Sequence, residues 1–437
     1  MHSSSLFFAL VATLLPLEQC LAVPIKHDAL QPHYQNATSS VFLHPRAPKG
    51  TSKLQRCTPP SVANGRYIVT LDPKKPAAPV MKNIKGPVVH LEAIHAFTAQ
   101  LTKEVLATLE AEPAVKRIEE ACSVNLLDGT YAHTQEQASW GPARLSSVAP
   151  LTHDPTKAFA YTYKYHNMGE CANVYVLDSG ILKEHPAFEG RVEFGTSFGN
   201  YGDKAEVDEY GHGTHVAGII GSNKFGVAKK VKIISVRITD KTGKTNTDDV
   251  GAALQWVWKD IVKRADDARK NKQPIRPAAI NLSFSIETTE QRHFLENYVD
   301  FLIAQNVYVF ASAGNRNKDV KDTVPARSPN IITVGSISID DKRAPSSSYG
   351  QGVDFYAPGE NIISTNIGPR GFDIKSGASM ATPHMTGLGV QLICAAYPAR
   401  LSPADLKAKA IRYALHDVIH DIPSGPKRLA HLPENLS

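Results

Sequence analysis

Three short phrases of this 437-residue sequence hold side chains that could perform acyl transfer. Asp178 ends the apolar run VYVLD and is followed at once by Ser179-Gly180, His212 stands in GHGTHVAG, and Ser379 stands in SGASMATPHM (376–385). A serine at the start of a helix is more often a cap than a nucleophile, so Ser379 alone says little. The other two change its weight. Acyl transfer needs a nucleophile, a base to take its proton, and a carboxylate that orients the base and stabilises the imidazolium. Glycines on both sides of His212 permit close backbone approach. A helix start beside Ser379 offers partial positive charge to a developing oxyanion.

The elements that must position these groups are visible as alternating patterns. From residue 133 onward, ANVYVLDSG, HGTHVAGIIGS, KIISVRIT, DDVGAALQWVWKDIVKRADDARK, AAINLSFS, EQRHFLENYVDFLIAQ, VYVFASAGN, IITVGSIS and SMATPHMTGLGVQLICAAY follow one another. Short β-branched runs between helical patterns predict βαβ units. The expected fold is α/β, a doubly wound and mostly parallel sheet with helices on both faces, over residues 133–420. Ligands in such sheets bind beyond the carboxyl ends of strands, which is where Asp178 falls. Upstream, RYIVTL (66–71), HAFTAQL (95–101), the helical LTKEVLATLEAE (101–112) and VKRIEEACSV (115–124) predict a small α+β unit over 64–132. The polar NLLDGTYAHTQEQA (125–138) predicts an exposed, cleavable joint. Residues 421–437 are expected to be a tail.

Composition narrows the function classes. The formal charge of +6 is spread over scattered lysines and arginines, which speaks against nucleic acid as a partner. An apolar run from Leu6 to Leu17 is too short to cross a bilayer and is followed by Cys20-Leu21-Ala22, so residues 1–22 are expected to be a secretory signal cut near Ala22. No later run reaches eighteen apolar residues, so a secreted, extracellular chain away from the membrane is expected. Residues 23–63 are rich in Pro, His and Ser and read as a linker. Loss of the signal would remove Cys20 and leave Cys57, Cys122, Cys171 and Cys394. Disulfides are permitted in an oxidising compartment, and buried free thiols are equally open for Cys171 and Cys394. The absence of a CxxC pair argues against a cysteine-bound zinc. Asn36 and Asn435 are expected glycosylation acceptors, whereas Asn281 lies in a strand-like run.

Chain order separates two folds that could supply this chemistry. GASMA (377–381) has the outline of an α/β-hydrolase nucleophile elbow, but that fold places its acid and histidine after the serine. The candidates there, Asp405, His416, Asp417 and His420, lie in a stretch expected to be helical with no strand to carry them. The order Asp178, His212, Ser379 is that of subtilisin. VLDSGI, EYGHGTHVAGII, SAGN and SGASMATPHMTG together resemble the signature blocks of the subtilisin-like serine proteases. WGPARLSS (140–147), VYVLDSGI and FYAPGENIIST (355–365) resemble the fungal proteinase K-like branch, over about residues 134–415. The upstream unit resembles that family's inhibitory propeptide, of ferredoxin-like layout.

The resemblance implies a secreted serine endopeptidase made as a zymogen and acting as a monomer on protein or peptide substrates. Its own propeptide would be an intramolecular inhibitor, cut off near Ala132–His133. Asp178 would orient the base, His212 would act as base and then acid, and Ser379 would attack the scissile carbonyl. Asn315 of SAGN and the Ser379 backbone N–H would hold the oxyanion. His215 and His384 share these motifs and are expected to pack as structural histidines. Substrate would lie extended between Gly243-Lys244-Thr245 and Ser283-Phe284-Ser285 by β-augmentation. Relatives usually carry glycine at Thr245 and at both Ser285 and Ile286, so a narrower cleft is expected. That departure motivates an alternative, a non-catalytic binding protein of the same fold with an obstructed cleft. Ala378 stands where threonine is common, and the missing hydroxyl is expected to weaken the oxyanion surroundings less than loss of Asn315 would. The carbonyls of Pro329 and Ile331 with the carboxylate of Asp354 match a calcium site of proteinase K-like enzymes, and hard oxygens suit that ion. Calcium would be structural, since the triad chemistry requires no cofactor; Asp354 as a turn cap is the other reading. The cysteine that usually pairs with one near Cys171 is absent here, which leaves Cys171–Cys394 and, in the pro-region, Cys57–Cys122 as candidate pairs.

Overall fold

The computed structural model describes residues 53–55, 63–75, 78–82, 84–122, 131–152, 158–199, 201–288 and 293–436. The expected signal segment, most of the linker, Asn36 and Cys57 with its proposed partnership to Cys122 lie outside the described residues. The chain divides into two compact units, Met1–Asn125 and Leu126–Ser437.

In the first unit, β1 (Leu54–Gln55), β2 (Ala63–Leu71), β3 (Val89–Leu91), β4 (Ala96–Gln100) and β5 (Val115–Cys122) form a sheet of order β1-β5-β2-β4-β3. A short helix α1 (Ala78–Met81) follows β2, and α2 (Lys103–Ala111) joins β4 to β5. Helix α2 starts one residue after Thr102, whose hydroxyl accepts from the Val105 N–H and so caps the first turn. Leu106 and Leu109 of α2 pack on Val69, Phe97, Val115 and Ile118 of the sheet. One helix face on one sheet face is the minimal two-layer core.

The second unit opens with the antiparallel pair β6 (His133–Ala138) and β7 (Tyr161–Tyr165), separated by α3 (Trp140–Leu145). Then follow β8 (Asn173–Asp178), β9 (Val192–Ser197), α4 (His212–Gly221), β10 (Lys232–Arg237), α5 (Thr247–Lys270), β11 (Ala278–Leu282), β12 (Ile286–Glu287), α6 (Phe294–Ala304), β13 (Tyr308–Ser312) and β14 (Thr323–Val324). The chain continues through β15 (Ile332–Ile337), β16 (Phe355–Pro358), β17 (Ile362–Thr365), β18 (Phe372–Lys375), α7 (Ala378–Ala396), α8 (Pro403–Tyr413), β19 (Leu415–His416) and β20 (Arg428–Leu429). The main sheet has the order β19-β20-β16-β15-β13-β11-β8-β10-β9. It is parallel except for the β19–β20 pair.

Every residue of β8 is buried, because the sheet is covered on both faces. Val174 and Val176 point to the side of α4 and α7, while Tyr175 and Leu177 point to the side of α5 and α6. From β8 the chain passes to β9 and β10 on one side and to β11, β13, β15 and β16 on the other. The carboxyl end of β8 is therefore a topological switch point, the place where such sheets open a crevice. A disulfide joins Cys171, just before β8, to Cys394 in the last turn of α7, with Cα atoms 5.6 Å apart, so these cysteines are bonded rather than free. No described helix is long and apolar enough to cross a membrane.

Two boundaries differ from expectation. Residues 421–437 are not a tail: β20 pairs with β16 and β19, and Ala430 and Leu432 are buried. The stretch after Ser379 thus does contain strands, but two-residue strands carry no period and are defined only by their partners. The second unit also begins before His133, since the Tyr131 hydroxyl donates to the carbonyl of Leu432 at 2.6 Å.

Candidate active site

Asp178 is the last residue of β8, at the switch point. Its Oδ1 accepts from the Ser179 N–H at 2.8 Å, and its two oxygens lie 2.8 and 2.9 Å from His212 Nδ1. A carboxylate can only accept, so Nδ1 carries the proton and Nε2 is left as the basic nitrogen. Burial opposes charge on the His212 ring, but the Asp178 carboxylate outweighs it and raises the pKa above the ordinary 6.5.

His212 is the first residue of α4, and the turn before it is built by a group the sequence reading missed. The buried carboxylate of Asp208 accepts from the Ser179 hydroxyl at 2.8 Å, from the Tyr210 and Gly211 N–H groups, and from both the N–H and hydroxyl of Thr214. It thereby fixes the start of α4 to the end of β8. An acidic residue four positions before a helix was the available signal. Gly213 is required here, because a Cβ at this position would lie 2.2 Å from the Gly180 carbonyl oxygen.

Ser379 is the second residue of α7, half-buried behind Gly377. Pro383 lies inside the same helix and has no N–H to give the Ser379 carbonyl four residues back. The Ser283 hydroxyl supplies that missing donor at 3.0 Å, and the Ser379 hydroxyl in turn donates to the Ser283 carbonyl at 2.9 Å. Asn281 Nδ2 donates to the Ser283 hydroxyl, and Thr386 of α7 donates to Asn281 Oδ1. The proline of SMATPHM thus opens a carbonyl through which α7 is docked to the end of β11.

Asn315 follows the end of β13. Its Oδ1 accepts the Ala378 N–H at 2.7 Å, which leaves Nδ2 as a free-standing donor group beside Gly377. Gly377 has φ 144°, and a Cβ there would come within 3.1 Å of that Nδ2. Ala378 itself is fully buried. His215 and His384 are buried structural rings. His215 Nε2 bonds the Ile362 and Asp373 carbonyls, His384 Nδ1 bonds the Met380 carbonyl, and burial pulls their pKa values down to about 3 and about 4.

A cleft of about 170 Å³ lies over this edge, lined by Leu177, Asp178, Tyr210, His212, Thr239, Gly243, Ser283 and Phe284. Three of the expected substrate residues, Gly243, Ser283 and Phe284, are in that lining. Lys244, Thr245 and Ser285 are exposed and stand outside it, and Ile286 is drawn into β12, which pairs with β14. The expected narrowing by Thr245, Ser285 and Ile286 therefore does not fall on the part of the cleft beside His212.

The three expected calcium ligands do converge, but on a side chain. Lys407 of α8 places its ammonium 2.8 Å from each of the Pro329 carbonyl, the Ile331 carbonyl and Asp354 Oδ1. Asp354 Oδ2 accepts the Thr333 N–H at 2.9 Å. Burial raises the Asp354 pKa against the opposing pull of Lys407. With an ammonium at their centre, these oxygens do not fit a metal. Among the described residues, no cluster of three or more His, Cys, Asp and Glu side chains could hold one either.

The chain is similar to known proteins. The Subtilase family (Peptidase_S8) matches residues 169–430, more than half of the chain. The "Cuticle-degrading protease" of Metarhizium anisopliae is 34% identical over 345 residues, covering 78% of this chain and 81% of that protein. The "Alkaline serine protease ver112" of Corniculantispora psalliotae is 36% identical over 335 residues, covering 75% and 80% respectively. A solved structure described as a cold adapted subtilisin-like serine proteinase is 31% identical with a TM-score of 0.57, covering 68% of this chain and 98% of that one. The matched span contains the whole crevice edge from Asp178 to Ser379, and on that footing the chain belongs to the Subtilase family.

Proposed function

We propose that this subtilase, a serine endopeptidase, is secreted as a zymogen and hydrolyses peptide bonds through an acyl-enzyme on Ser379. The Ser379 hydroxyl turns from the Ser283 carbonyl toward the substrate carbonyl carbon and passes its proton to His212 Nε2. Asp178 stays ionised and holds the imidazolium that results. Asn315 Nδ2 and the Ser379 N–H receive the oxyanion, a group whose loss typically costs about 10² to 10³ in turnover. Collapse returns the proton from His212 to the departing amine, and water repeats the sequence to free the acid. The residues of the first unit act as the inhibitor until a cut in the joint near Ala132–His133 releases them. They also assist folding, since a large parallel sheet with distant pairings folds slowly.

The observation that carries this reading is the orientation of His212: Nδ1 is committed to Asp178, so Nε2 is basic, in the same cleft that Ser283 lines while accepting the Ser379 hydroxyl. The test compares the secreted full chain with its Ser379→Ala variant. The native protein should begin near His133, hydrolyse casein and label rapidly with a fluorophosphonate, and the variant should do none of these. Normal processing and casein hydrolysis by the variant would refute the mechanism. Failure of the processed native protein to label would favour a non-catalytic binding protein.

A further inference from the structure

We propose that Lys407 is a built-in replacement for a structural calcium ion, so that the corner formed by Pro329, Ile331 and Asp354 is held together without metal. An ammonium has three N–H donors, and here three oxygens meet it, each at 2.8 Å. One positive charge then balances the one carboxylate. Calcium needs six to eight oxygens at about 2.3–2.6 Å, often with both oxygens of a carboxylate available. Asp354 cannot offer both freely, since Oδ2 is taken by the Thr333 N–H. Arg428 adds further positive charge by donating to the Asp354 backbone carbonyl at 3.5 Å. A divalent ion entering beside two cations and one carboxylate would have to expel Lys407 first.

The position of Lys407 is set by its helix. Ser402 caps α8, with its hydroxyl accepting the Asp405 N–H at 3.1 Å, and Pro403 begins the first turn. Leu406 and Ala410 are buried and seat α8 on the unit. Lys407 follows Leu406 and reaches the oxygens with only 18% of its side chain exposed. The staple joins α8 to the segment leading into β15 and to the start of β16, which lie far apart along the chain. Unlike a bound ion, it cannot be lost to a chelator.

The test is the thermal midpoint of the second unit in the full-length chain, with Ser379→Ala present so that self-cleavage cannot contribute. The midpoint should agree within about 1 °C between millimolar calcium and EDTA. Lys407→Met should lower it in EDTA by about 5 °C or more, the scale of uncovering a largely buried carboxylate. Calcium should then restore part of the loss, and Asp354→Asn should abolish that restoration. Calcium stabilisation of the Lys407 protein that disappears with Asp354→Asn would overturn the proposal. So would an unchanged midpoint for Lys407→Met, or a lowered one that calcium cannot raise. If Lys407→Met yields no folded protein, the response of the Lys407 protein to calcium, with and without Asp354→Asn, decides alone.

Discussion

The crevice edge and the Lys407 corner use the same device with opposite outcomes. In each, one carboxylate is pinned by a backbone N–H, Ser179 for Asp178 and Thr333 for Asp354, and presents itself to a nitrogen cation or potential cation. At Asp178 the partner is imidazole, which exchanges its proton near neutral pH, and its ring lines the cleft with only Nδ1 committed to the carboxylate. At Asp354 the partner is an ammonium with all three donors spent on protein oxygens. The carboxylate is not what makes a site reactive. Reactivity depends on a partner that can release a proton and still has a free nitrogen to use.

The contrast can be broken most severely at Asp178. Asp178→Asn should lower kcat by about 10⁴ because His212 loses its correct tautomer, while the thermal midpoint changes little by comparison; a single-turnover assay and a melting curve separate the two. Asn315→Ala should cost about 10² to 10³ in kcat with KM nearly unchanged, since its amide meets charge that exists only in the transition state. An equal loss in KM would place Asn315 in substrate binding instead. A pH profile sharpens the comparison further. His212 has its pKa raised above 6.5, and the reaction needs the neutral ring, so kcat/KM should fall as pH drops through a midpoint above 6.5. The same pair contributes stability at low pH and loses it as pH rises through the raised value. Nitrogen NMR of His212 in the Ser379→Ala chain would report that value directly. The smallest effect should come from Lys407→Met, which below its melting range should leave kcat/KM within about twofold despite its loss of stability.

Much of the crevice edge was legible because each of its residues sits in a short phrase that also forms its element. VYVLD is both a buried strand and the carrier of Asp178, and GHGTH is both the glycine-permitted turn and His212. Asp208, four residues before His212, was overlooked although its letter was in view, since a lone acid before a helix is usually only a favourable charge. The cation site was half legible: Pro329, Ile331 and Asp354 do meet at one point. What fills that point was not, because Lys407 comes from a helix in which it looks like any solvent-facing lysine. The strands β19 and β20 escaped notice for a related reason, as each has two residues and takes its identity from a partner elsewhere.

SGASMATPHM shows where the division falls. Its small residues, its serine and its proline are set by the sequence, as are the chain order with Asp178 and His212 and therefore the class of chemistry. Only the tertiary structure decided that Pro383 frees the Ser379 carbonyl for Ser283, that the Ala378 N–H occupies the Asn315 amide oxygen, and that Lys407 meets the oxygens of Pro329, Ile331 and Asp354. Local phrases determine elements and the groups they carry through short-range sterics and hydrogen bonding. The partner of a buried donor or acceptor is chosen by whichever distant segment packing brings within about 3 Å, and no local pattern records that choice.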